Sequence, residues 1–132
     1  MRVLVTGSAG LIGRYQAVSP SHGTFNGYVF DVSTDGTFGL TLERGGTAAA
    51  TATGQQQLTP PHRATLARGR VPFAPGTWHT LALSVSGTAI VASVDGQQVA
   101  SLTDATLTHG IPGIEVGGWY PAYFSNLTVT TP

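Results

Sequence analysis

The sequence contains no cysteine and no lysine, and only 9% of its 132 residues are charged. The absence of cysteine excludes a disulfide framework, thiolate metal ligands and thiol nucleophiles. Six arginines balance six acidic residues, so a net charge of zero offers no basic patch to nucleic acid or to an anionic membrane surface. No apolar run approaches the ~18 residues that are needed to cross a bilayer. We therefore expect neither nucleic-acid nor membrane partners.

Glycine, proline and small residues take the place of the missing charge. The chain has 18 glycines and 8 prolines, with many threonines, serines, alanines and valines between them, and 41% of its residues are hydrophobic. Low charge at this hydrophobicity is typical of a β-sandwich with many tight turns, and not of a disordered tail. A chain of this length forms one domain that buries roughly two thirds of its unfolded surface. We predict a single all-β domain over residues 1–132.

After residue 14 the chain repeats one pattern, in which short runs rich in Val, Thr, Phe, Tyr and Leu end at Gly, Asp or Pro. No sustained helical period occurs there, and strands separated by turn residues at this spacing indicate a two-sheet antiparallel sandwich. The Asp35-Gly36 pair between two such runs predicts a type I′ hairpin turn. We expect strands over residues 27–33, 37–43, 47–53, 64–71, 78–85, 88–94, 97–102, 113–118 and 122–129, and a surface loop over 55–63.

The clearest single strand is the run from Trp78 to Val85, which has a period of two. Because successive side chains of a strand point to opposite faces, one face should carry small and polar residues and the other apolar ones. The predicted faces are Trp78, Thr80, Ala82 and Ser84 on one side, and His79, Leu81, Leu83 and Val85 on the other.

The sharpest short motif is Gly-x-x-Gly-x-x-Gly, formed by Gly7, Gly10 and Gly13 after an apolar run. It resembles the dinucleotide-binding opening of extended short-chain dehydrogenases and sugar-nucleotide epimerases, in which a pyrophosphate approaches a helix N-terminus. Residues 15–23 have no helical period, and no acidic residue ends a second strand of a βαβ unit. We predict sandwich strands with a glycine-rich bend over residues 2–18. The alternative is that residues 1–14 are a graft that carries a nucleotide-binding turn.

Several longer blocks occur in one order along the chain, and together they resemble a known family. The blocks are residues 10–15, 27–30, 35–38, 76–81, 94–96 and 123–129, which read GLIGRY, GYVF, DGTF, GTWHTL, VDG and YFSNLTV. They are similar to the C-terminal lectin-like domain of galactocerebrosidase-type glycoside hydrolases, a concanavalin A-like or laminin G-like sandwich. The resemblance implies a jelly-roll attached to a catalytic domain. It also implies an extracellular location within a longer secreted protein, although this chain has no signal peptide.

One position departs from that family. Ser125 stands where the family commonly has an aspartate that helps to hold a structural calcium ion. A neutral hydroxyl is a poor replacement for a carboxylate around a hard cation. We therefore expect no cofactor.

The residues give catalysis little support. The four histidines lack metal-ligand spacing, and Asp35 and Asp95 are accounted for by their Asp-Gly turns. A glycosidase needs two carboxyl groups in one cleft, and the sequence does not pair any two of them. A Gly-x-Ser-x-Gly elbow is also missing. We expect that the chain is not an enzyme.

Sugar binding has better candidates, which lie in predicted loops. Trp119 and Tyr120 fall in the turn before the last strand, where exposing two large aromatic rings is costly unless they have a use. The alternative is that one of these rings folds back and caps the end of the sandwich. The loop over residues 20–26 adds His22, Phe25 and Asn26 as stacking and polar partners, and a third loop over 60–63 is a weaker addition.

Together these features predict a non-catalytic carbohydrate-binding or accessory module from a secreted glycoside hydrolase. Its ligand would be a glycan, with galactosides among the candidates, and its other partner would be the adjacent catalytic domain. Two alternatives remain open from the sequence. One is a purely structural scaffold domain of a hydrolase, and the other is a fragment or chimera that carries the nucleotide-binding turn.

Overall fold

The computed structural model describes residues 1–5, 7–19, 24–45, 48–50, 56–58, 62–117 and 122–130. These residues form twelve strands and contain no helix, and so no helix among them could span a membrane. The strands are β1 (Arg2–Val5), β2 (Ser8–Ser19), β3 (Thr24–Ser33), β4 (Thr37–Arg44), β5 (Ala48–Ala50), β6 (Gln56–Leu58), β7 (His62–Arg70), β8 (Trp78–Ser86), β9 (Ala89–Val94), β10 (Gln97–Thr103), β11 (Ile111–Gly117) and β12 (Ala122–Ser125).

The strands form two five-stranded sheets and a small ribbon. The first sheet has the order β10-β9-β8-β1-β12, the second has the order β11-β2-β3-β4-β7, and β5 pairs with β6 in the ribbon. Neighbouring strands are antiparallel throughout the described residues. The predicted all-β sandwich of two antiparallel sheets is confirmed.

Alternation along the strands determines which side chains form the core. In β3 the side chains of Tyr28, Phe30 and Val32 are fully buried, and they belong to one apolar cluster with Leu81 of β8 and Ile90 of β9. The cluster therefore joins residues of both sheets. The two faces predicted for β8 are confirmed, because residues at odd positions from 79 to 85 are buried or partly buried and those at even positions are exposed.

The N-terminal glycine motif lies in strands. β1 belongs to the first sheet and β2 to the second, and both Gly10 and Gly13 lie within β2. A side chain at Gly10 would collide with the carbonyl oxygen of Phe30 on the neighbouring strand, so the close approach of β3 requires glycine there. Residues 8–19 are a strand where a nucleotide-binding motif needs a helix. The prediction of sandwich strands over residues 2–18 is confirmed in the described part of that range.

The two Asp-Gly hairpins use different turns. At Asp95-Gly96 both residues have positive φ, 52° and 79°, as a two-residue type I′ turn requires. The type I′ turn predicted for Asp35-Gly36 is wrong, because Gly36 has a φ of 86° and Asp35 does not have a positive φ. There the Gly36 N–H donates to the Ser33 carbonyl at 2.9 Å, which closes a three-residue loop with glycine in the left-handed position.

Some strand boundaries also differ from the predictions. The segment 55–63, expected to be a loop, contains β6 and the first residues of β7. The strand expected over 122–129 ends at Ser125, because Asn126 has a φ of 58° and interrupts the extended backbone. Within the range 47–53, the described strand covers Ala48–Ala50.

The hydroxyl of Tyr28 ties the connection between β10 and β11 to the second sheet. It donates to Asp104 Oδ1 at 2.6 Å and accepts the N–H of Leu107 at 3.2 Å. Asp104 Oδ1 also accepts the N–H of Thr106 at 2.9 Å. Burial, followed by the hydrogen bond to Asp104, raises the pKa of Tyr28 above its ordinary value.

Replacing this hydroxyl should destabilise the protein. The variant Tyr28→Phe leaves the buried N–H of Leu107 without its acceptor, so we expect a loss of about 1–3 kcal/mol in the free energy of unfolding. Tyr123→Phe is the matched control, because Tyr123 is 54% exposed and has no hydrogen-bond partner among the described residues. Urea unfolding followed by tryptophan fluorescence compares the two variants with the parent. Equal midpoints for both variants would contradict this role of the hydroxyl.

Candidate functional site

Of the five residues predicted to bind a ligand, Phe25 and Asn26 lie among the described residues. Trp119, Tyr120 and His22 lie outside the described residues. Phe25 and Asn26 lie at the start of β3, whereas residues 118–121 follow β11 at Gly117, which is in the same row of the sheet as Ser33 at the far end of β3. The nine residues from 25 to 33, separated by eight steps of about 3.3 Å, span about 26 Å of extended strand. The strand ends next to residues 20–23 and next to residues 118–121 therefore lie at opposite ends of the second sheet.

Phe25 and Asn26 both make contacts within the sheet. The ring of Phe25 stacks on the ring of Tyr15, with centroids 5.3 Å apart and an angle of 25° between the planes. The Asn26 amide donates to Gln16 Oε1 at 3.1 Å and accepts the N–H of Gly45 at 2.9 Å. Both polar atoms of Asn26 thus hold the ends of three strands together. The weaker loop candidates, His62 and Arg63, lie in the first residues of β7 and are exposed.

The face of the second sheet that is turned away from the first sheet, called the outer face below, carries charged residues. Because Phe30 and Val32 of β3 face the core, Asp31 between them points to the outer face. The same alternation in β4 places Glu43 on the outer face next to Leu42 in the core. Glu115 of β11 also belongs to this face, since strand register places it in the same row as Gly10 and Asp31.

Strand register brings these acids together. Glu115 is opposite Gly10, and Gly10 is opposite Asp31, so two strand spacings of about 4.8 Å separate the backbones of the two acids. Only a glycine lies between them in this row. Glu43 is opposite Arg63, whose guanidinium forms an ion pair with it. Asp31, Glu43, Glu115 and Arg63 are called the outer-face cluster below.

Burial and like charges raise the pKa values of Asp31 and Glu115 in the cluster. Burial, followed by the negative charges of Asp31 and Glu43, raises the pKa of Glu115 to about 7, against the opposing effect of Arg63. Burial is also the main cause of the raised pKa of Asp31, to which Glu43 adds. The side chain of Glu43 is only 12% exposed, whereas that of its partner Arg63 is 71% exposed. At neutral pH Glu115 is therefore present in both its protonated and its ionised form.

A pocket of about 240 Å³ lies on the outer face beside Asp31. Gly39 leaves room for it, because a side chain there would meet Asp31 Oδ1 at 3.1 Å. Arg68, at the pocket, forms no ion pair with any acid in the described residues. The pocket is therefore lined by both donors and acceptors, and its polar lining residues are Asp31, Ser33, Thr37, Thr41, Arg63, Thr65 and Arg68.

A second polar group lies at the first sheet. It contains a hydroxyl, an imidazole and a carboxylate, which is the composition of a charge relay. His79 Nδ1 is 2.7 Å from Asp95 Oδ2, and His79 Nε2 is 3.0 Å from both Thr77 Oγ1 and the carbonyl oxygen of Ala74. The hydroxyl of Thr77 donates to that same carbonyl at 2.6 Å. A carbonyl oxygen only accepts, so Nε2 donates its proton and cannot act as a base toward Thr77.

The hydrogen bonds instead favour the protonated form of His79. Burial lowers the pKa of His79, but the hydrogen bonds to Asp95 and Ala74 and the charge of Asp95 outweigh it, and the pKa is raised. The pKa of Asp95 is lowered, because its hydrogen bonds to His79 and the Thr80 N–H outweigh burial. Phe73 stacks on the imidazole at 3.8 Å. Through its contacts with Phe73 and Asp95, His79 connects the loop before β8 with the β9–β10 turn.

The described residues contain no group of three or more His, Cys, Asp or Glu side chains that could hold a metal ion. Ser125, the position of the family's calcium-binding aspartate, is opposite Arg2 at the end of β12. In the outer-face cluster Arg63 pairs with Glu43, and the cluster as a whole provides a mixed set of donors and acceptors. Such a set is suited to hydrogen bonding with a polar organic molecule.

Comparison of the chain with protein-family models, with curated proteins and with solved structures finds no match. The resemblance to the lectin-like domain therefore stays a prediction. Sequence reasoning missed the outer-face cluster, because Glu115 lies on β11, which joins β2 and β3 only through long-range pairing. The one available signal was Asp31, a charged residue in a strand with apolar residues on both sides.

Removing the carboxyl group of Glu115 should change how stability depends on pH. A folded-state pKa of about 7, raised from 4.5, means that folding takes up a proton between these values, so the parent loses stability as pH rises through this window. Glu115→Gln should remove this loss and be more stable above pH 7 by about 2 kcal/mol, a value reduced for partial exposure.

The control is Asp35→Asn, in an exposed turn. The pKa of Asp35 is lowered, first by the N–H of Thr37, so this variant should keep the loss between pH 4.5 and 7. Urea unfolding across this range gives the free energies. A Glu115→Gln profile that runs parallel to the parent would show that Glu115 has an ordinary pKa.

His79 should contribute to the stability of the fold in a different pH window. Its raised pKa means that its stabilising contribution is complete below its usual value of 6.5 and is lost as pH rises through the folded-state value. His79→Gln should lower stability most in the acidic range and remove this alkaline loss. His62→Gln, at an exposed position, is the control. Unfolding free energies from about pH 5.5 to about pH 9 test this, and an unchanged alkaline slope in His79→Gln would refute it.

Proposed function

We propose that the chain is a non-catalytic carbohydrate-binding module of the lectin-like, jelly-roll type, and that it binds a glycan on the outer face of the second sheet. The observation that carries the proposal is the pocket beside Asp31, with its hydroxyl groups and two guanidinium groups. Sugar hydroxyls both donate and accept hydrogen bonds. A carboxylate that accepts and a guanidinium that donates along two parallel directions can bind adjacent hydroxyls of one ring.

Aromatic side chains on the same face support this proposal. Tyr15 and Phe25 stack on each other, and an added side chain at Gly27 would touch the Phe25 ring, so Phe25 lies on the outer face with Gly27. Such a pair can pack against the apolar face of a sugar further along a chain. Trp119 and Tyr120 would act at the other end, because their loop starts at Gly117 in the row of Ser33, which lines the pocket.

The proposed setting is that of an accessory domain in a secreted glycoside hydrolase. The outer face would hold the glycan, galactosides among the candidates, while the adjacent catalytic domain acts on it. Net charge gives the module no long-range attraction for a charged partner, since acids and arginines balance. Recognition would therefore depend on short-range hydrogen bonds and stacking, and it should change little with salt concentration.

One observation favours a second candidate function, glycoside hydrolysis. A carboxylic acid with a pKa of about 7 beside a second carboxyl group is the arrangement of a general acid and its partner. The backbones of Glu115 and Asp31 are two strand spacings apart, about 9.5 Å, which is compatible with the separation of about 6.5–9.5 Å between the carboxyl groups of inverting glycosidases. Release of reducing sugar by the parent and its loss in Glu115→Gln would select this candidate.

Binding on the outer face can be tested by titration calorimetry with a panel of galactosides and other glycans. Arg68→Ala removes a charge-assisted hydrogen bond worth about 1.5–3 kcal/mol, so we expect affinity to fall by roughly 10- to 100-fold. Arg44→Ala is the matched control, because Arg44 is exposed at the end of β4 and does not line the pocket. Asp31→Asn should weaken binding as well.

The loop residues need a separate arm of the same titration. Trp119→Ala should weaken binding if the ring extends the pocket, and less than Arg68→Ala does if the pocket is the main site. Full affinity in Arg68→Ala together with lost affinity in Trp119→Ala would move the site from the outer face to the loop. No binding of any glycan in the panel would favour the scaffold alternative and reject the proposal.

A further inference from the structure

The strand β7, which is the last in the order of the second sheet, is irregular in its middle. Thr41 of β4 is opposite Thr65, whereas Leu40, the residue before it, is opposite Ala67, so Leu66 is an extra residue between the two pairs. One extra residue in one strand of an antiparallel pair is a β-bulge. It changes which of the later side chains of that strand point to a given face of the sheet.

The bulge turns Arg68 toward the outer face. Before the bulge the odd-numbered positions of β7 face outward, and beyond it the even-numbered positions do. Arg68 is opposite Gly39, which is itself opposite Asp31, and residues directly opposite each other share a face. Gly69 takes the inward position, where an added side chain would meet the ring of Phe38. In a regular strand Arg68 would point to the core, so the bulge is what places it at the pocket.

Arg68 is also the arginine of β7 whose charge is not paired. Arg63 forms an ion pair with Glu43, and Arg70 Nη2 lies 3.8 Å from Asp35 Oδ2. Arg68 has no such partner in the part of the chain that the structure describes, and it is exposed. A guanidinium offers five N–H donors in a planar fork that matches the two oxygens of a carboxylate. The pocket therefore contains an unused site for an anionic group.

The two ends of the pocket have opposite polarity. Asp31, Gly39 and Arg68 lie in one row across β3, β4 and β7, so two strand spacings of about 4.8 Å separate the backbones of the acid and the arginine. The glycine between them has no side chain to fill this space. The next row on the same face adds the hydroxyl groups of Thr41 and Thr65. A ligand that fits this row accepts hydrogen bonds at one end and donates them at the other.

A uronic acid has this polarity within one pyranose ring, because its carboxylate is attached to C5 and a hydroxyl to C2 on the opposite side. We propose that the pocket selects a glycan with uronic acid units, whose carboxylate binds Arg68 and whose opposite hydroxyl donates to Asp31. The pocket volume of about 240 Å³ is below the roughly 300–1,000 Å³ of pockets for drug-sized ligands, so it takes one sugar unit. The inference rests on the proposed glycan binding and specifies its substrate class.

The acids of the outer face determine the orientation of such a sugar. Glu43 is paired with Arg63, and Glu115 lies on the far side of Asp31, four strand spacings of about 4.8 Å from Arg68. A carboxylate at Arg68 is thus as far from these two acids as the row allows, and repulsion between like charges falls with distance and is screened by salt. The reversed sugar would place its carboxylate beside Asp31. Only one orientation therefore avoids this repulsion.

The test compares each acidic sugar with its own uncharged form. Titration calorimetry on the full chain uses the trimers of galacturonic, glucuronic and mannuronic acid, together with their methyl esters, which keep the rings and linkages but have no charge. We expect one of the acids to bind at least roughly tenfold more tightly than its ester, because a charge-assisted pair replaces a neutral hydrogen bond. In Arg68→Gln, which keeps a polar side chain without the charge, this ratio should fall to about one.

Arg70→Gln is the matched control. Arg70 lies on the same strand and the same face and is exposed as well, but it is near Asp35 and does not line the pocket. This variant should keep the ratio between acid and ester within about twofold of that of the parent, because exposed charges that do not touch the ligand contribute little. Equal midpoints of urea unfolding for the parent and both variants show that the fold is unchanged.

The other outcomes separate failure of this inference from failure of glycan binding itself. Equal affinity for acid and ester, or binding of neutral glycans alone, would reject uronic acid selection and leave the glycan site in place. A preference for the acid that persists in Arg68→Gln, or that is lost in Arg70→Gln, would show that Arg68 is not the group that recognises it. Tighter binding of a cationic glucosamine trimer would mean that the carboxylates dominate the pocket. If neither the uronic acids nor any neutral glycan binds, both proposals are wrong.

Discussion

The burial of Tyr28, Phe30 and Val32 between the two sheets is the constraint on which the rest of the structure depends. Side chains alternate along a strand, so burying these three fixes Asp31 on the outer face. A slip of one residue would bury Asp31 and expose the aromatic rings, which makes the register of this central strand strongly determined. The same register sets Gly10 beside Asp31 and Glu115 beyond it. The composition of the core and that of the charged face thus both follow from the alternation of side chains along β3.

Because the chain has so few charged residues, a role can be identified for each acid. The chain has six acidic residues. Asp35 binds the N–H of Thr37 in its turn, Asp95 holds His79, and Asp104 holds the hydroxyl of Tyr28. The remaining three converge on the outer face, where their mutual repulsion and burial are unfavourable at neutral pH. A protein with so few charges that nevertheless groups half of its acids on one surface has an arrangement that folding alone does not need.

Local patterns predicted the parts of the fold that depend on local geometry. The period of two in β8 and the Asp95-Gly96 turn are decided within a few residues, and both are as expected. The Asp35-Gly36 turn differs because loop length, set by the pairing of β3 with β4, decides the turn type. The outer-face cluster depends on the order β11-β2-β3-β4. The β2-β3-β4 part of that order follows from consecutive hairpins, but β11 is placed beside β2 by long-range pairing, which no run of residues encodes.

A sandwich of two sheets buries both inner faces, so only outer faces and open edges remain available for partners. The outer face of β8 presents Trp78, Thr80 and Ala82, and Arg2 lies over the ring of Trp78 at 5.2 Å. This surface carries small residues around Trp78 and one arginine, in contrast to the outer face of the second sheet, which carries Asp31, Glu43 and Glu115. The two outer faces therefore offer different chemistry, and the proposed glycan site lies on the face that supplies charged and hydroxyl side chains.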